Sequence, residues 1–209
     1  MKRILFQGDS ITDCGRNRDR LDSLGGGYPN LVGCYLAGEY PGEYECINKG
    51  ISGNRIVDVY ARIKKDIINL QPDIMSIMIG VNDVWHEVNH QNGVSAEKYE
   101  MLYDLMLSEI KETLPELKIM IISPYVIKGT ATEDTWDVFR PEVEKRAAAA
   151  KRIAEKYGLP FVDMLTKFDE AVEKYPDEEW AADGVHAKNA GKELLKRAWL
   201  ECFQNHFVE

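Results

Sequence analysis

Hydrophobic residues along the chain form short continuous runs, separated by longer stretches with amphipathic or helix-prone patterns. Short apolar runs bounded by glycine, proline or polar residues predict buried strands. Five such runs are present: Arg3–Gln7, Tyr44–Asn48, Ile74–Ile79, Lys118–Ser123 and Phe161–Asp163. The intervening and following stretches predict helices at 28–40, 55–69, 96–114, 134–157, 164–175 and 187–204. Strand and helix are therefore predicted to alternate along the chain.

This alternation predicts the fold class. Apolar strands joined by helices form a mostly parallel sheet with helices on both faces. We therefore expect an α/β protein with three layers, α/β/α, and five parallel strands. No internal repeat, low-complexity tract or linker interrupts the pattern, and 209 residues suffice for one sizeable core. Residues 1–209 are predicted to form a single domain.

Local signals predict where two of the helices begin and end. Asn92-Gly93 is turn chemistry, and Ser95 then caps the third predicted helix. Gly158 followed by Leu159-Pro160 is typical of a helix C-terminus and ends the fourth. The acidic cluster at 177–179 is interpreted as a solvated loop rather than a metal site.

The charge of the chain limits its partners. With 35 acidic and 26 basic residues the formal charge is −9, which disfavours binding to nucleic acid or to an anionic membrane. No apolar run reaches the roughly 18 residues of a transmembrane helix, and no apolar secretion segment precedes the first strand. A cytoplasmic location is expected, and the sequence leaves open whether the chain forms a homo-oligomer.

The cysteines are scattered and show no zinc-site spacing, so we expect reduced thiols and neither a metal nor another cofactor. They are Cys14, Cys34, Cys46 and Cys202. Cys14 lies close to Ser10, but no base is near it in sequence. It is interpreted as a small packing residue.

Residues with catalytic potential follow the predicted strands. Ligands of open parallel sheets bind outside the carboxyl ends of the strands, where the loops meet. The residues found after the successive strands are Ser10, Gly53, Asn82 and, beyond the last strand and its helix, Asp183 and His186. We therefore expect these five residues to converge on one site.

The residue types in this set suit ester hydrolysis. A serine hydroxyl becomes an effective nucleophile when a neighbouring base takes its proton, and imidazole suits that role near neutral pH. Asp183, three residues before His186, is placed to accept the Nδ1 proton and leave Nε2 facing Ser10. The N–H groups of Ser10 and Gly53 and the side-chain amide of Asn82 are suitable donors for the oxyanion.

Four sequence blocks that carry these residues resemble, in order, the signature blocks of the GDSL/SGNH hydrolase superfamily. The blocks are GDS at 8–10, the glycine of ISGN at 53, GVND at 80–83 and DGVH at 183–186. The resemblance implies a flavodoxin-like sheet of order 2-1-3-4-5. It also implies a Ser10, His186 and Asp183 triad, and an oxyanion hole of Ser10, Gly53 and Asn82.

Longer strings narrow the resemblance. GDSITDCGR, NKGISGNR, SIMIGVNDVW and the tryptophan before the last block look like bacterial acetylxylan esterases of this superfamily. That likeness implies removal of acetyl groups from xylo-oligosaccharides inside the cell. The expected partner is a small acetylated carbohydrate.

Several residues beside the blocks are predicted to bind this substrate, because aromatic faces next to polar groups suit a sugar ring. They are Asp9, Trp85, Tyr125 and Trp180. Further polar residues on the same loops are expected to hydrogen-bond sugar hydroxyls: Asp13, Arg16, Arg55 and His86. An apolar lid, which a lipase would show, is not evident.

Three alternatives stay open at this point. A lysophospholipase or thioesterase of the same superfamily would use the same five residues. A non-catalytic flavodoxin-like binding module would need a phosphate-binding glycine turn at the first strand end, but the Gly25–Gly27 run lies well past it. A metal phosphoesterase would be sensitive to a chelator. Its metal ligands would be Asp9, Asp13, Asp83 and His186.

Overall fold

A computed structural model describes residues 1–208 of the chain. Its strands are β1 Lys2–Gly8, β2 Tyr44–Asn48, β3 Ile74–Met78, β4 Lys118–Ile122 and β5 Phe161–Val162. They form one sheet of order β2-β1-β3-β4-β5, and every neighbouring pair is parallel. The predicted α/β/α class and the strand order are confirmed. Because the chain order reverses between β1 and β3, a ligand crevice is expected at their carboxyl ends.

Helices connect the strands and cover the sheet. They are α1 Ser10–Asp13, α2 Tyr28–Glu39, α3 Ile56–Ala61, α4 Ile63–Asp66, α5 Val81–His90, α6 Ala96–Thr113, α7 Trp136–Tyr157, α8 Met164–Val172, α9 Asp177–Trp180 and α10 Asn189–His206. Short 3-10 turns lie at Ile68–Leu70 and Glu133–Thr135. The predicted caps are confirmed, since the Ser95 side chain accepts the Lys98 N–H and Gly158 ends α7 in the left-handed conformation.

The three central strands, β1, β3 and β4, are buried on both faces, and successive side chains enter different cores. In β1, Ile4 and Phe6 belong to one apolar cluster, and Leu5 belongs to the other. On the first face the Phe6 ring lies 5.4 Å from that of Trp199 in α10. On the second face Tyr103 of α6 is fully buried. This two-sided burial explains why the strands read as continuous apolar runs rather than as alternating ones.

Three segments differ from the sequence prediction. The stretch 55–69 is broken into α3, α4 and a 3-10 turn, with the break at Arg62, whose guanidinium reaches back to Gln7 and to the Lys49 carbonyl. Residues 81–90, expected to begin with a loop, form α5. The acidic cluster at 177–179 opens the short helix α9 instead of a loop, and the Asp177 carboxylate accepts the Lys128 N–H at 3.1 Å.

The start of α1 places the candidate nucleophile Ser10 at the carboxyl end of β1. β1 ends at Gly8, and the next residue, Asp9, caps α1 by accepting the Ile11 N–H at 3.0 Å. Ser10 is therefore the first residue of a helix at the carboxyl edge of a central strand. As the first helical residue it has a backbone N–H without an acceptor inside the helix.

Candidate active site

Ser10, His186 and Asp183 form a continuous hydrogen-bonded chain. Ser10 Oγ lies 2.8 Å from His186 Nε2. On the other side of the ring, His186 Nδ1 lies 2.6 Å from Asp183 Oδ2. The sheet topology thus brings together groups that are 176 residues apart in sequence. In this arrangement the imidazole can take a proton from the serine while the carboxylate fixes its tautomer.

The loop that carries His186 is held by its own carboxylate and by a buried tyrosine. Asp183 Oδ1 accepts the backbone N–H groups of Val185 and His186, at 3.0 and 2.8 Å. The Tyr125 hydroxyl donates to the Val185 carbonyl at 2.7 Å, and its ring stacks on Phe168. The position of the imidazole is therefore set by bonds on both sides of Val185.

The two members of the pair are shifted in opposite directions. Burial alone would raise the pKa of Asp183, but hydrogen bonds from the His186 ring and from the Val185 and His186 amides outweigh it and lower this pKa to about 2. The hydrogen bond with Asp183 raises the pKa of His186 above its usual value, against the effect of partial burial. The buried Asp9 carboxyl adds to this rise, although burial brings its own pKa up to about 7.

Three candidate oxyanion donors lie on three segments. The Ser10 N–H opens α1, Gly53 lies in the loop after β2, and Asn82 is the second residue of α5. Gly53 has a φ of +81°, a conformation that side-chain-bearing residues rarely adopt. Asn82 is buried and donates one amide hydrogen from Nδ2 to the Asn54 carbonyl at 3.1 Å. That bond orients the amide and leaves its second hydrogen available.

Asp83 fastens the far end of the Gly53 loop to α5. Both of its carboxyl oxygens lie within 3.2 Å of the Ile56 N–H, at the start of α3. Burial raises the pKa of Asp83 to about 8. The predicted block at 80–83 therefore contributes one residue to the site and one to its support.

The two tryptophans predicted to bind substrate have different surroundings. The Trp85 ring lies 5.8 Å from the His186 ring and packs against Phe139, so it borders the reaction centre. Trp180 instead donates from Nε1 to the Tyr175 carbonyl at 3.4 Å and lies beside the Tyr175 ring. Its contacts tie Trp180 to its own loop.

Two of these predictions are wrong for direct contact with a sugar. Tyr125 has no exposed surface, because its ring is stacked in the core and its hydroxyl is used by Val185. Asp9 is 1% exposed and serves as the helix cap. Both residues follow a strand, but the chain turns their side chains inward.

The polar residues expected to bind hydroxyls are largely engaged by the protein. Asp13 and Arg16 are buried beneath the Gly53 loop. Arg55 is paired with Asp58 and donates to the Asn92 carbonyl. His86 is half-buried, and its Nε2 lies 4.0 Å from where a side chain at Gly53 would begin.

The described residues 1–208 contain no group of three or more potential ligands that could hold a metal ion. The carboxyls that a metal phosphoesterase would need are bound separately to backbone amides of different segments: Asp9 to Ile11, Asp13 to Ser52 and Asp83 to Ile56. In the same part of the chain, no helix has the length and apolar character needed to cross a membrane.

The sequence profile of the GDSL-like lipase/acylhydrolase family matches residues 6–194. The chain belongs to this family. This chain is also 36% identical over 209 residues to an acetylxylan esterase from Geobacillus stearothermophilus, with 95% of this chain and 92% of that protein covered. The resemblance inferred from the sequence is thereby confirmed, and the protein is a carboxylic ester hydrolase.

Solved structures of this GDSL family superpose over nearly the whole chain. The acetylxylan esterase Axe2 from Geobacillus stearothermophilus has a TM-score of 0.87 at 34% identity, covering 100% of this chain and 96% of its own. A protein described as a GDSL-like lipase from Parabacteroides merdae has a TM-score of 0.92 at 35% identity, covering 97% of this chain and 95% of its own.

Proposed function

We propose that the protein is a serine esterase that removes O-acetyl groups from carbohydrates, with acetylated xylo-oligosaccharides as its substrates. The observation that carries the proposal is the hydrogen-bonded chain from Ser10 Oγ through His186 to Asp183 at the carboxyl edge of the sheet. Three candidate oxyanion donors, on Ser10, Gly53 and Asn82, follow neighbouring strands at that edge, which supports acyl transfer.

In the proposed reaction, Ser10 Oγ attacks the acetyl carbonyl carbon and its proton passes to His186 Nε2. The carbonyl oxygen becomes an oxyanion that accepts hydrogen bonds from the Ser10 and Gly53 N–H groups and from the free hydrogen of Asn82 Nδ2. The ester C–O bond then breaks, and the sugar hydroxyl leaves with the proton from His186. Water, activated by the same imidazole, hydrolyses the acetyl-serine and releases acetate.

Three findings support a carbohydrate as the leaving group. Trp85 presents a half-buried aromatic ring beside His186, and aromatic rings combined with polar groups suit a sugar. The loop that carries Gly53 is polar as well, since Ser52 and Asn54 flank Gly53 and His86 Nε2 lies 4.0 Å from where a side chain at Gly53 would begin. The relative that shares 36% identity is named an acetylxylan esterase, which favours the same substrate class.

A lysophospholipase or thioesterase would need apolar surface for its acyl chain. Each buried methylene is worth about 0.8 kcal/mol, so a long acyl chain is favoured only where apolar side chains receive it. The polar residues that flank Gly53 favour a short acyl group such as acetyl instead.

The test is kcat/KM across acetyl, butyryl, octanoyl and palmitoyl aryl esters, measured beside acetylated xylo-oligosaccharides. We expect acetyl to be the best acyl group, and the oligosaccharides to be deacetylated. A maximum at octanoyl or longer would contradict the carbohydrate proposal and favour the lipid alternative.

A further inference from the structure

The loop that carries Gly53 is fastened to the helix that begins at Ser10. Asp13 is the last residue of that helix and is 2% exposed. Its Oδ2 accepts the Ser52 backbone N–H at 2.9 Å and the Ser52 hydroxyl at 3.1 Å. Ser52 directly precedes Gly53, so one carboxylate joins the nucleophile's helix to the neighbour of an oxyanion donor.

Other contacts bring the same two segments together farther from Gly53. Asn48 Nδ2 donates to the Thr12 carbonyl at 2.6 Å, and Arg16 Nε donates to the Gly50 carbonyl at 2.8 Å. A side chain at position 50 would collide with the backbone of α1, so only glycine permits this approach. These contacts fix residues 48–50, whereas Asp13 reaches the peptide next to Gly53.

The Asp13 carboxylate remains charged in this buried position. Burial alone would raise its pKa, but hydrogen bonds from Arg18 and Ser52 outweigh burial and lower the pKa below its usual value. Arg18 donates to Oδ2 at 2.6 Å from a side chain that is about half exposed. The bond to the Ser52 N–H is therefore charge-assisted, and such bonds are roughly twice as strong as neutral ones.

We propose that Asp13 is a positioning residue for the oxyanion hole, which sets the Gly53 N–H against the Ser10 N–H. The inference rests on the proposed function, because it presumes that these two groups stabilise the oxyanion. Such donors must lie about 2.7–3.1 Å from the oxyanion, and a misplacement of about 1 Å can cost roughly 100-fold in rate. The two donors belong to separate segments, so their spacing depends on the contacts between them.

Asp13→Asn keeps the size of the side chain but replaces one acceptor oxygen with an NH2 group and removes the charge. We expect kcat on an aryl acetate to fall about 10- to 100-fold, with KM changed less than about threefold, since the oxyanion exists only in the transition state. Ser52→Ala removes only the hydroxyl bond and keeps the N–H bond. We expect a smaller loss of kcat in that variant, of about threefold or less.

Asp58 provides a matched control. Its Oδ2 also accepts a backbone N–H in this part of the chain, that of Arg55 at 2.9 Å, but the bond is local to the start of α3. Asp58→Asn makes the same chemical change without loosening the contact between α1 and the loop. We expect its kcat to stay within about twofold of the wild type.

A second readout separates positioning from a general loss of structure. A phenylboronic acid forms a tetrahedral adduct with the active serine and resembles the transition state, so its inhibition constant should rise in proportion to the fall in kcat/KM. All rates are expressed per active site titrated with a fluorophosphonate, and thermal unfolding is recorded for each variant. If Asp13→Asn unfolds, Asp13→Ser, which is too short to reach Ser52, replaces it.

The outcomes are distinct. Lower kcat with parallel loss of boronate affinity in the Asp13 variant, and neither change in Asp58→Asn, supports the inference. Wild-type kcat per titrated site in a folded Asp13 variant overturns it, as does a loss of kcat with unchanged boronate affinity. If activity in the wild type does not depend on Ser10, the proposed function fails instead, independently of Asp13.

Discussion

Removing the Asn82 amide tests the oxyanion hole without touching the nucleophile or the base. Asn82 is 5% exposed and is held by the Asn54 carbonyl, so its amide is already oriented before substrate binds. Asn82→Ala removes the amide hydrogen that is proposed to face the developing oxyanion. Because the position is buried, water is poorly placed to replace the donor.

The size of the effect follows from the nature of the lost bond. Removing one preorganised oxyanion donor typically costs about 2.7–4 kcal/mol of transition-state stabilisation. With about 1.36 kcal/mol for each factor of ten, kcat should fall about 10²- to 10³-fold. KM should change little, since the ground-state carbonyl carries only a partial charge.

The assay is steady-state hydrolysis of an aryl acetate by Asn82→Ala and by Asn89→Ala. Asn89 lies on the same helix, α5, and is exposed, so its replacement should leave kcat unchanged. An increase in KM with unchanged kcat would refute the reasoning and make Asn82 a substrate-binding residue. Equal losses in both variants would show that the effect comes from the helix and not from the amide.

Three further predictions concern pH, substrate and metal. The raised pKa of His186 predicts that kcat/KM increases with pH through a midpoint above the usual value of 6.5, because only the neutral ring accepts the Ser10 proton. In Asp183→Asn, an NMR titration of the His186 ring should give a lower pKa than in the wild type. The stability contributed by the charged His186–Asp183 pair is present below about pH 6.5 and is lost as pH rises through the folded-state pKa of His186. In this pH range the melting temperature should therefore fall with pH while kcat/KM rises. A flat rate profile between about pH 5 and 8 would contradict His186 as the base. Trp85→Ala should lower kcat/KM for acetylated xylo-oligosaccharides more than for an aryl acetate, whereas Trp180→Ala should affect both equally; equal effects of Trp85→Ala on both substrates would remove it from the sugar site. Incubation with a strong chelator should leave esterase activity unchanged, and a loss restored by added metal would favour the phosphoesterase alternative.

The sheet was predictable because its physical signal is local. The three central strands, β1, β3 and β4, are buried on both faces and read as apolar runs. The predicted and observed bounds of all five strands agree to about a residue at either end. The helix α5 was missed although its signal was present. Val81, Val84, Trp85 and Val88 have the spacing i, i+3, i+4, i+7 of an amphipathic helix. The block at 80–83 opens with glycine and carries Asn82 and Asp83, residue types that are typical of a loop.

The meeting of Ser10 with His186 and Asp183 was also predictable, because parallel strands place their following loops at one edge. The direction of individual side chains was not. Tyr125 and Asp9 follow strands as Ser10 does, yet they point inward to a carbonyl and to a helix N-terminus. The support of Asn82 by Asn54 could not be predicted either, since the acceptor is a backbone carbonyl and carries no signal of residue type.

The central claim is that Ser10 is the nucleophile of an acetyl-carbohydrate esterase. The most direct measurement is acetate release from acetylated xylo-oligosaccharides by the wild type and by Ser10→Ala, with thermal unfolding recorded for both. We expect the wild type to release acetate and kcat of the variant to fall by roughly 10³-fold or more with unchanged unfolding, because nucleophile and base act as a unit. Near-wild-type turnover by Ser10→Ala would contradict the account.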